Sequence, residues 1–174
     1  LPDLPAPPSL APGSLRIMPL GGLGEIGRNM TVFEYESRLL IIDCGVLFPE
    51  ESHPGVDLIL PDFDPIVDRI NDVDAIVLTH GHEDHIGAVA HLWHRLKCPL
   101  YATPFTAELV KGKLSERGIL EDVELNIIDT DAHLELGPFS LDYICLTHSI
   151  AEPSAIAIEV GGYRALHTGD WKID

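Results

Sequence analysis

Residues 76–89 read IVLTHGHEDHIGAV. Within six positions this stretch sets His80, His82, Asp84 and His85, directly after an apolar run (Val73–Thr79) and directly before a segment of helical periodicity. Imidazole nitrogens and carboxylate oxygens are the ligands that borderline divalent cations such as zinc prefer. From an extended loop His80 and His82 can point the same way, while Asp84 and His85 turn toward a neighbouring position at a helix start. One loop can therefore feed two adjacent metal ions. Three histidines and two acids between buried apolar runs are too dense for a loop that merely caps a helix. Glu83, inside the motif, is read as solvent-facing or as supporting a ligand.

Outward from this motif the pattern is strand-rich and then alternating. Leu15–Leu20, Met30–Tyr35 and Leu39–Asp43 are β-prone, the last two separated by Glu36-Ser37-Arg38 as in a hairpin. Residues 44–64 carry Pro49, Pro54 and Pro61 and read as a long loop, followed by a short helix over Pro65–Asn71. Ile86, Val89, Ala90, Trp93 and Leu96 recur at helical spacing, which predicts one amphipathic helix over His85–Leu96. A strand over Leu100–Thr103, a helix over Phe105–Arg117 stopped by Gly118, and strands over Val123–Ile128, Phe139–Leu146, Ala155–Val160 and Tyr163–His167 complete the reading. Gly161-Gly162 is a two-residue hairpin signal. Strands mixed with helices and hairpins imply a layered α/β fold of mixed sheet.

Two further residues follow strand ends, where α/β folds assemble their sites. His148 lies in ICLTHSIAEPS and Asp170 in ALHTGDW. Beside the first cluster they offer an extra ligand for one metal and a carboxylate able to bridge both. The remaining histidines are read differently: His91 and His94 as solvated on the polar side of the helix, His53 and His133 as lacking partners in sequence. His167 is closer to the site, with nothing in the sequence to assign it a role.

GLGEIG at 22–27 has the spacing of a dinucleotide-binding loop, with Asp43 downstream. That loop must open a helix whose N-terminus holds the pyrophosphate. Here RNMTVFEYESRLLIID follows, with β-branched and aromatic residues and a hairpin, so the dinucleotide reading fails. The glycines are read instead as turning the backbone beside the metal site, with Glu25, Arg28 and Asn29 near the substrate entrance.

The 174 residues suffice for one domain with a core. Residues 1–14 hold five prolines and read as a disordered or extended tail. Three cysteines in no paired pattern suggest a reducing compartment, and no apolar run approaches the roughly 20 residues needed to span a bilayer, so a cytoplasmic location is expected. The net charge of −17 argues against nonspecific nucleic-acid binding by this segment. The start at Leu1 and the stop at Asp174 are read as signs of an incomplete chain.

H-x-H-x-D-H, a later His, and a Gly-Asp after a strand together resemble the pattern of the metallo-β-lactamase superfamily. Longer strings narrow this: PLGGLGEIGRNM (19–30), LLIIDCGVLFPE (39–50), DLILPDF (57–63), LTHGHEDHIGA (78–88) and HTGDWKID (167–174). Together they resemble the bacterial ribonuclease J family of the β-CASP branch, from about Leu15 to Asp174. One departure is local. Relatives usually carry Pro after His-Ser-Ile, whereas this chain has Ala151 and then Glu152-Pro153, which touches loop geometry and not the ligand.

The resemblance implies an αββα sandwich with mixed sheets, of which residues 15–174 form the N-terminal portion. The β-CASP insert, the rest of the lactamase domain and a C-terminal domain would lie outside. It implies that His80, His82 and His148 hold one zinc, that Asp84 and His85 hold a second, and that Asp170 bridges both. Asp84, His85 and Asp170 are thereby the expected catalytic positions. Asp43 would support the metal loop, the alternative being a turn Asp at a strand end. The implied activity is hydrolysis of RNA phosphodiesters through a hydroxide bridging two Zn2+, with Mn2+ or Mg2+ able to substitute. The implied mode is 5′-to-3′ exonuclease action with some endonuclease action, preferring a 5′-monophosphate end, in rRNA processing and mRNA decay. Implied partners are RNA, further copies of the chain in a dimer or tetramer, and an RNA-degradation complex, with no membrane. The piece alone is expected to be weakly active or inactive. Competing readings are another hydrolase of this fold, acting on thioesters or lactams, and a non-catalytic module.

Overall fold

The strongly apolar run Leu39–Ile42 is buried on both sides, and this fixes the layering. Strand residues alternate faces, so Leu39 and Ile41 pack toward one core with Val32 and Ile76, while Leu40 and Ile42 pack toward a second with Phe33, Ala75 and Val77. The computed structural model, which describes residues 7–51 and 53–173, has a sheet with a core on each face. That sheet runs β1 (Arg16–Gly21), β2 (Met30–Tyr35), β3 (Arg38–Ile42), β4 (Val73–Val77), β5 (Leu100–Ala102) and β6 (Leu125–Ile127), in that order. It is mixed: β1 to β3 pair antiparallel, β3 to β6 parallel.

A second, wholly antiparallel sheet has the order β10 (Tyr163–His167), β9 (Ser154–Val160), β8 (Phe139–Cys145), β7 (His133–Leu136). Its inner residues, among them Phe139, Leu141, Tyr143, Ile156 and Ile158, fill the second core. Tyr143, buried there, donates its hydroxyl to the carbonyl of Leu78 at 3.1 Å and so ties the two sheets together at the end of β4. The helices α1 (Glu83–Ile86), α2 (Val89–Leu96) and α3 (Pro104–Glu116) supply Ile86, Leu92, Leu96, Ala107, Val110 and Leu114 to the first core. The α/β architecture with mixed sheet expected from the sequence is therefore borne out.

Two local elements differ from the expectation. The helix expected over His85–Leu96 is two helices. Two other segments bond the α1 carbonyls: after β3, Cys44 N–H donates to His85 O (2.8 Å) and Val46 N–H to Glu83 O (3.1 Å), and before β2, Asn29 N–H donates to Asp84 O (3.0 Å). Ala88 N–H then bonds Cys44 O at 2.9 Å instead of continuing α1. Periodicity reports which face is apolar and is blind to such tertiary competition for carbonyls. Strand β7 was absent from the sequence reading, because His133-Leu134-Glu135-Leu136 is too short and too charged to stand out, yet it pairs fully with β8. The short helix expected over Pro65–Asn71 is present, as a 3-10 helix over Asp64–Asp72.

The stop of α3 is as expected: Gly118 N–H donates to Ser115 O and Ile119 N–H to Leu114 O, a Schellman ending. Of the N-terminal tail, residues 1–6 lie outside the described residues. Residues 7–14 form neither strand nor helix, and Gly13 N–H donates to Glu36 Oε1 at 2.9 Å. Among the described residues no helix is long and apolar enough to cross a membrane.

The crossing of the 43–46 segment over α1 leaves no room at Gly45, where a Cβ would lie 1.5 Å from Asp84 O. Gly45→Ala must push the two segments apart, at a cost of at least about 2 kcal/mol. Gly112→Ala on α3, where a Cβ meets nothing within 4 Å, should instead stabilise by about 0.5–1 kcal/mol. Urea unfolding of both variants checks the contrast.

Candidate metal centre

The site gathers where β3, β4, β8 and β10 end. β3 stops at Ile42 because Asp43 turns into the left-handed region (φ +62°), a conformation uncommon for non-glycine residues. The turn buries its carboxylate completely beside the end of β4. There Asp43 Oδ1 accepts the Thr79 N–H at 2.8 Å, and Oδ2 accepts the Thr79 hydroxyl at 2.8 Å and His85 Nδ1 at 2.7 Å. Burial alone would raise the Asp43 pKa, but the charge and hydrogen bond of His85 outweigh it and hold the carboxyl below its ordinary value. Asp43 thus bonds Thr79 and His85, one at each end of the His-rich loop.

Thr79 passes this constraint on. Its one hydroxyl proton goes to Asp43, so from His80 Nδ1, at 3.0 Å, the hydroxyl oxygen can only accept. The His80 proton therefore sits on Nδ1, and the Nε2 lone pair faces the site. Burial pushes His80 down to about 4, so the ring is neutral at neutral pH. His80 Nε2 lies 3.1 Å from His82 Nδ1, which in turn lies 3.2 Å from His148 Nε2. One nitrogen thus faces two others, and a single proton satisfies only one of those contacts. A cation at the centre accepts all three lone pairs, so the donor set of His80, His82 and His148 fits a metal ion.

A second group overlaps the first: His80, His85 and Asp170. His85 Nε2 is 3.4 Å from Asp170 Oδ1 and 3.5 Å from Asp84 Oδ2, and Asp170 Oδ2 is 3.7 Å from His148 Nε2. Asp170 thereby stands between the two groups. The hydrogen bond to His85 holds it down to about 2. Asn29 Nδ2 donates to Asp84 O at 3.0 Å and lies 3.4 Å from Asp84 Oδ2, fixing that carboxylate from the loop after β1. All six residues singled out as ligands meet in one mouth; Asp84 sits beside the second group rather than inside it.

The other sequence readings resolve as follows. Glu83 is half exposed and ion-paired to Lys113. His94 is exposed, and His91 bonds Arg117 across α2 and α3. His133, without a partner in sequence, pairs with Asp142 and Glu135 on the second sheet. His167 Nδ1 accepts the N–H of Gly169, the residue immediately before Asp170, at 3.2 Å. GLGEIG opens no helix: Gly27 turns (φ +144°) where a Cβ would strike Leu47, and Glu25 pairs with Arg28 at 2.6 Å. Thr79 was missed, although its place immediately before the first motif His was the available signal.

The sequence pattern of the metallo-beta-lactamase superfamily matches residues 23–171. This chain belongs to that superfamily. Its curated relatives include ribonuclease J of Corynebacterium glutamicum, 48% identical over 98% of this chain and 24% of that protein. Ribonuclease J of Mycobacterium tuberculosis H37Rv is 50% identical over 99% of this chain and 31% of its own length. The chain therefore spans about a quarter to a third of the relatives it matches. Among solved structures, the metallo-beta-lactamase fold protein YhfI from Bacillus subtilis aligns with a TM-score of 0.64 at 18% identity, over 90% of this chain and 63% of that one. A protein of unknown function from Enterococcus faecalis V583 aligns with a TM-score of 0.61 at 19% identity, over 90% and 43%. These two likenesses show the superfamily fold.

The Asp43–His85 pair sets a pH window for the metal-free protein. Asp43 is lowered, so its contribution is present above about 3.8 and lost as pH falls through its lower folded value. Burial lowers His85, but Asp43, Asp170 and Asp84 together carry it up to about 10 from 6.5. Its contribution is full below 6.5 and declines as pH rises toward 10. In chelator the Tm should fall between pH 6.5 and 10. Asp43→Asn should flatten that decline while costing about 3 kcal/mol near pH 6. Calorimetry against pH checks both.

Proposed function

We propose that this chain is the metal-binding part of a ribonuclease of the ribonuclease J type, hydrolysing RNA phosphodiester bonds. The observation that carries the reading is the convergence of two overlapping ligand groups, sharing His80, at one mouth. The ribonuclease J relatives, near 50% identical along almost the whole chain, supply the substrate class. His80, His82 and His148 would hold one divalent cation, and Asp84, His85 and Asp170 a second, with Asp170 reaching both. Zinc suits the imidazole-rich group best, and manganese or magnesium can substitute in the carboxylate-rich one. Such cations would supply hydroxide at neutral pH and neutralise charge on the phosphodiester.

The chain's own residues do the rest. Thr79 keeps the His80 lone pair turned inward, Asp43 orients His85, and Asn29 steadies Asp84. Depressed Asp170 stays ionised throughout the neutral range. The reading extends to 5′-to-3′ exonuclease action with internal cuts on RNA bearing a 5′-monophosphate, in rRNA processing and mRNA decay in the cytoplasm. Higher oligomers and an RNA-degradation complex belong to the same reading. With a net charge of −17 here, the basic surface that grips RNA is assigned to the β-CASP and C-terminal parts outside this chain.

In the full-length protein, His80→Ala or Asp84→Ala should lose bound metal and lower cleavage of a 5′-monophosphorylated RNA at least about a thousandfold, with the circular dichroism spectrum unchanged. Undiminished cleavage by a metal-stripped double variant would refute the mechanism.

A further inference from the structure

The loop that carries His148 is tied to helix α3 by a side-chain bond from Glu152. Helix α3 has Thr103 at its N-cap, but that side chain makes no capping bond to the helix backbone. Its hydroxyl faces Thr106 Oγ1 instead, at 3.5 Å. The cap comes from elsewhere: Glu152 Oε2 accepts the Phe105 N–H at 2.8 Å, across 47 residues of sequence. To reach it, Glu152 adopts a left-handed backbone (φ +54°), which costs free energy for a non-glycine residue. A carboxylate at a helix N-terminus also meets the positive end of the helix dipole.

His148 depends on its loop more than His80 and His85 do. His80 is oriented through Nδ1 by Thr79, and His85 through Nδ1 by Asp43. The Nδ1 of His148 is buried and has no hydrogen-bond partner among the described residues. Ligating histidines ordinarily gain their orientation from a bond on that far nitrogen. Here orientation must come from where the loop is fixed. One fixed point is the backbone of the following strand, where Ser154 N–H donates to Thr79 O at 3.0 Å. The base of the loop is closed by Leu146 N–H on Pro153 O and by Lys172 N–H on Thr147 O, both at 2.9 Å, and Glu152 adds the bond to α3. The same helix packs against Gly81, which lies between His80 and His82: Leu109 Cδ1 stands 2.5 Å from where a Cβ of Gly81 would be. Ile150, from the His148 loop, lies 3.5 Å from that point.

We propose that Glu152 is a positioning residue for the metal centre: by capping α3 it registers the His148 loop against the His80–His82 loop, replacing the far-nitrogen bond that His148 lacks. This rests on the metal reading of the site. Its logic is geometric: α3 is the common body against which both loops are set, and Glu152 is the polar bond joining the His148 loop to it.

The test uses the full-length protein with cobalt(II) as probe, reading both affinity and the visible absorption of the bound ion. Glu152→Ala should weaken cobalt binding about tenfold and alter the spectrum. Glu152→Gln, whose amide oxygen can still accept from Phe105, should restore both. Glu152→Ala also removes a helix cap, so the double variant with Gly112→Ala serves to recover the stability of α3 without rebuilding the link. The proposal expects Tm to recover in that double variant and cobalt affinity to stay low. Cobalt affinity that recovers together with Tm, or that never falls in Glu152→Ala, overturns it. A wild-type protein that takes up no cobalt overturns the metal reading itself, and this proposal with it.

Discussion

A single buried carboxylate holds the site together. Burying an ionised group in an apolar interior is tolerated only when it is paired and fully hydrogen-bonded. Asp43 meets that condition through Thr79 and His85, so the ends of β3 and β4 and the start of α1 must come together wherever this charge is buried. The backbone follows the same demand. Cys44, Gly45 and Val46 cross α1 closely enough to take its carbonyl partners, which ends α1 after four residues and turns Asp84 and His85 toward the mouth. The strained backbone of Asp43 is part of the same arrangement, a cost borne where the surrounding hydrogen bonds over-determine the conformation.

Each histidine of the centre is then controlled by a different means. His80 is set by a hydroxyl relay, His85 by the carboxylate directly, and His148 by the loop that bears it. His82 lies between the other two rings. The electrostatics agree with this division. Burial and the neighbouring His85 keep the His80 ring neutral, whereas the His85 ring, among three carboxylates, is driven strongly toward its charged form. Such contrasts among neighbouring groups are characteristic of functional sites.

Much of this was legible in the sequence, for a definable reason. The residues of the two candidate ligand groups follow strand ends, and strand ends are visible as the points where apolar runs give way to polar residues: Thr79-His80, Leu146-Thr147-His148 and His167 to Asp170. Alternation of faces made the buried runs of β2, β3 and β4 equally plain. What stayed hidden were features in which a distant segment competes for a local bond. The break between α1 and α2 arises from Cys44 and Val46, and the role of Thr79 arises from Asp43, 36 residues away. The cap on α3 arises from Glu152, 47 residues from Phe105. None of these leaves a periodic trace.

By itself the sequence determined the chemistry of the site and the class of the fold, because ligand identity and hydrophobic alternation are written residue by residue. Only the tertiary structure decided how the ligands divide. It placed His80 in both groups, set Asp170 between them, and left Asp84 beside His85 rather than within the tighter set. It also decided which side chains hold the ligands still. Those outcomes depend on ångström-scale distances between segments brought together by burial, and burial is a property of the folded chain as a whole.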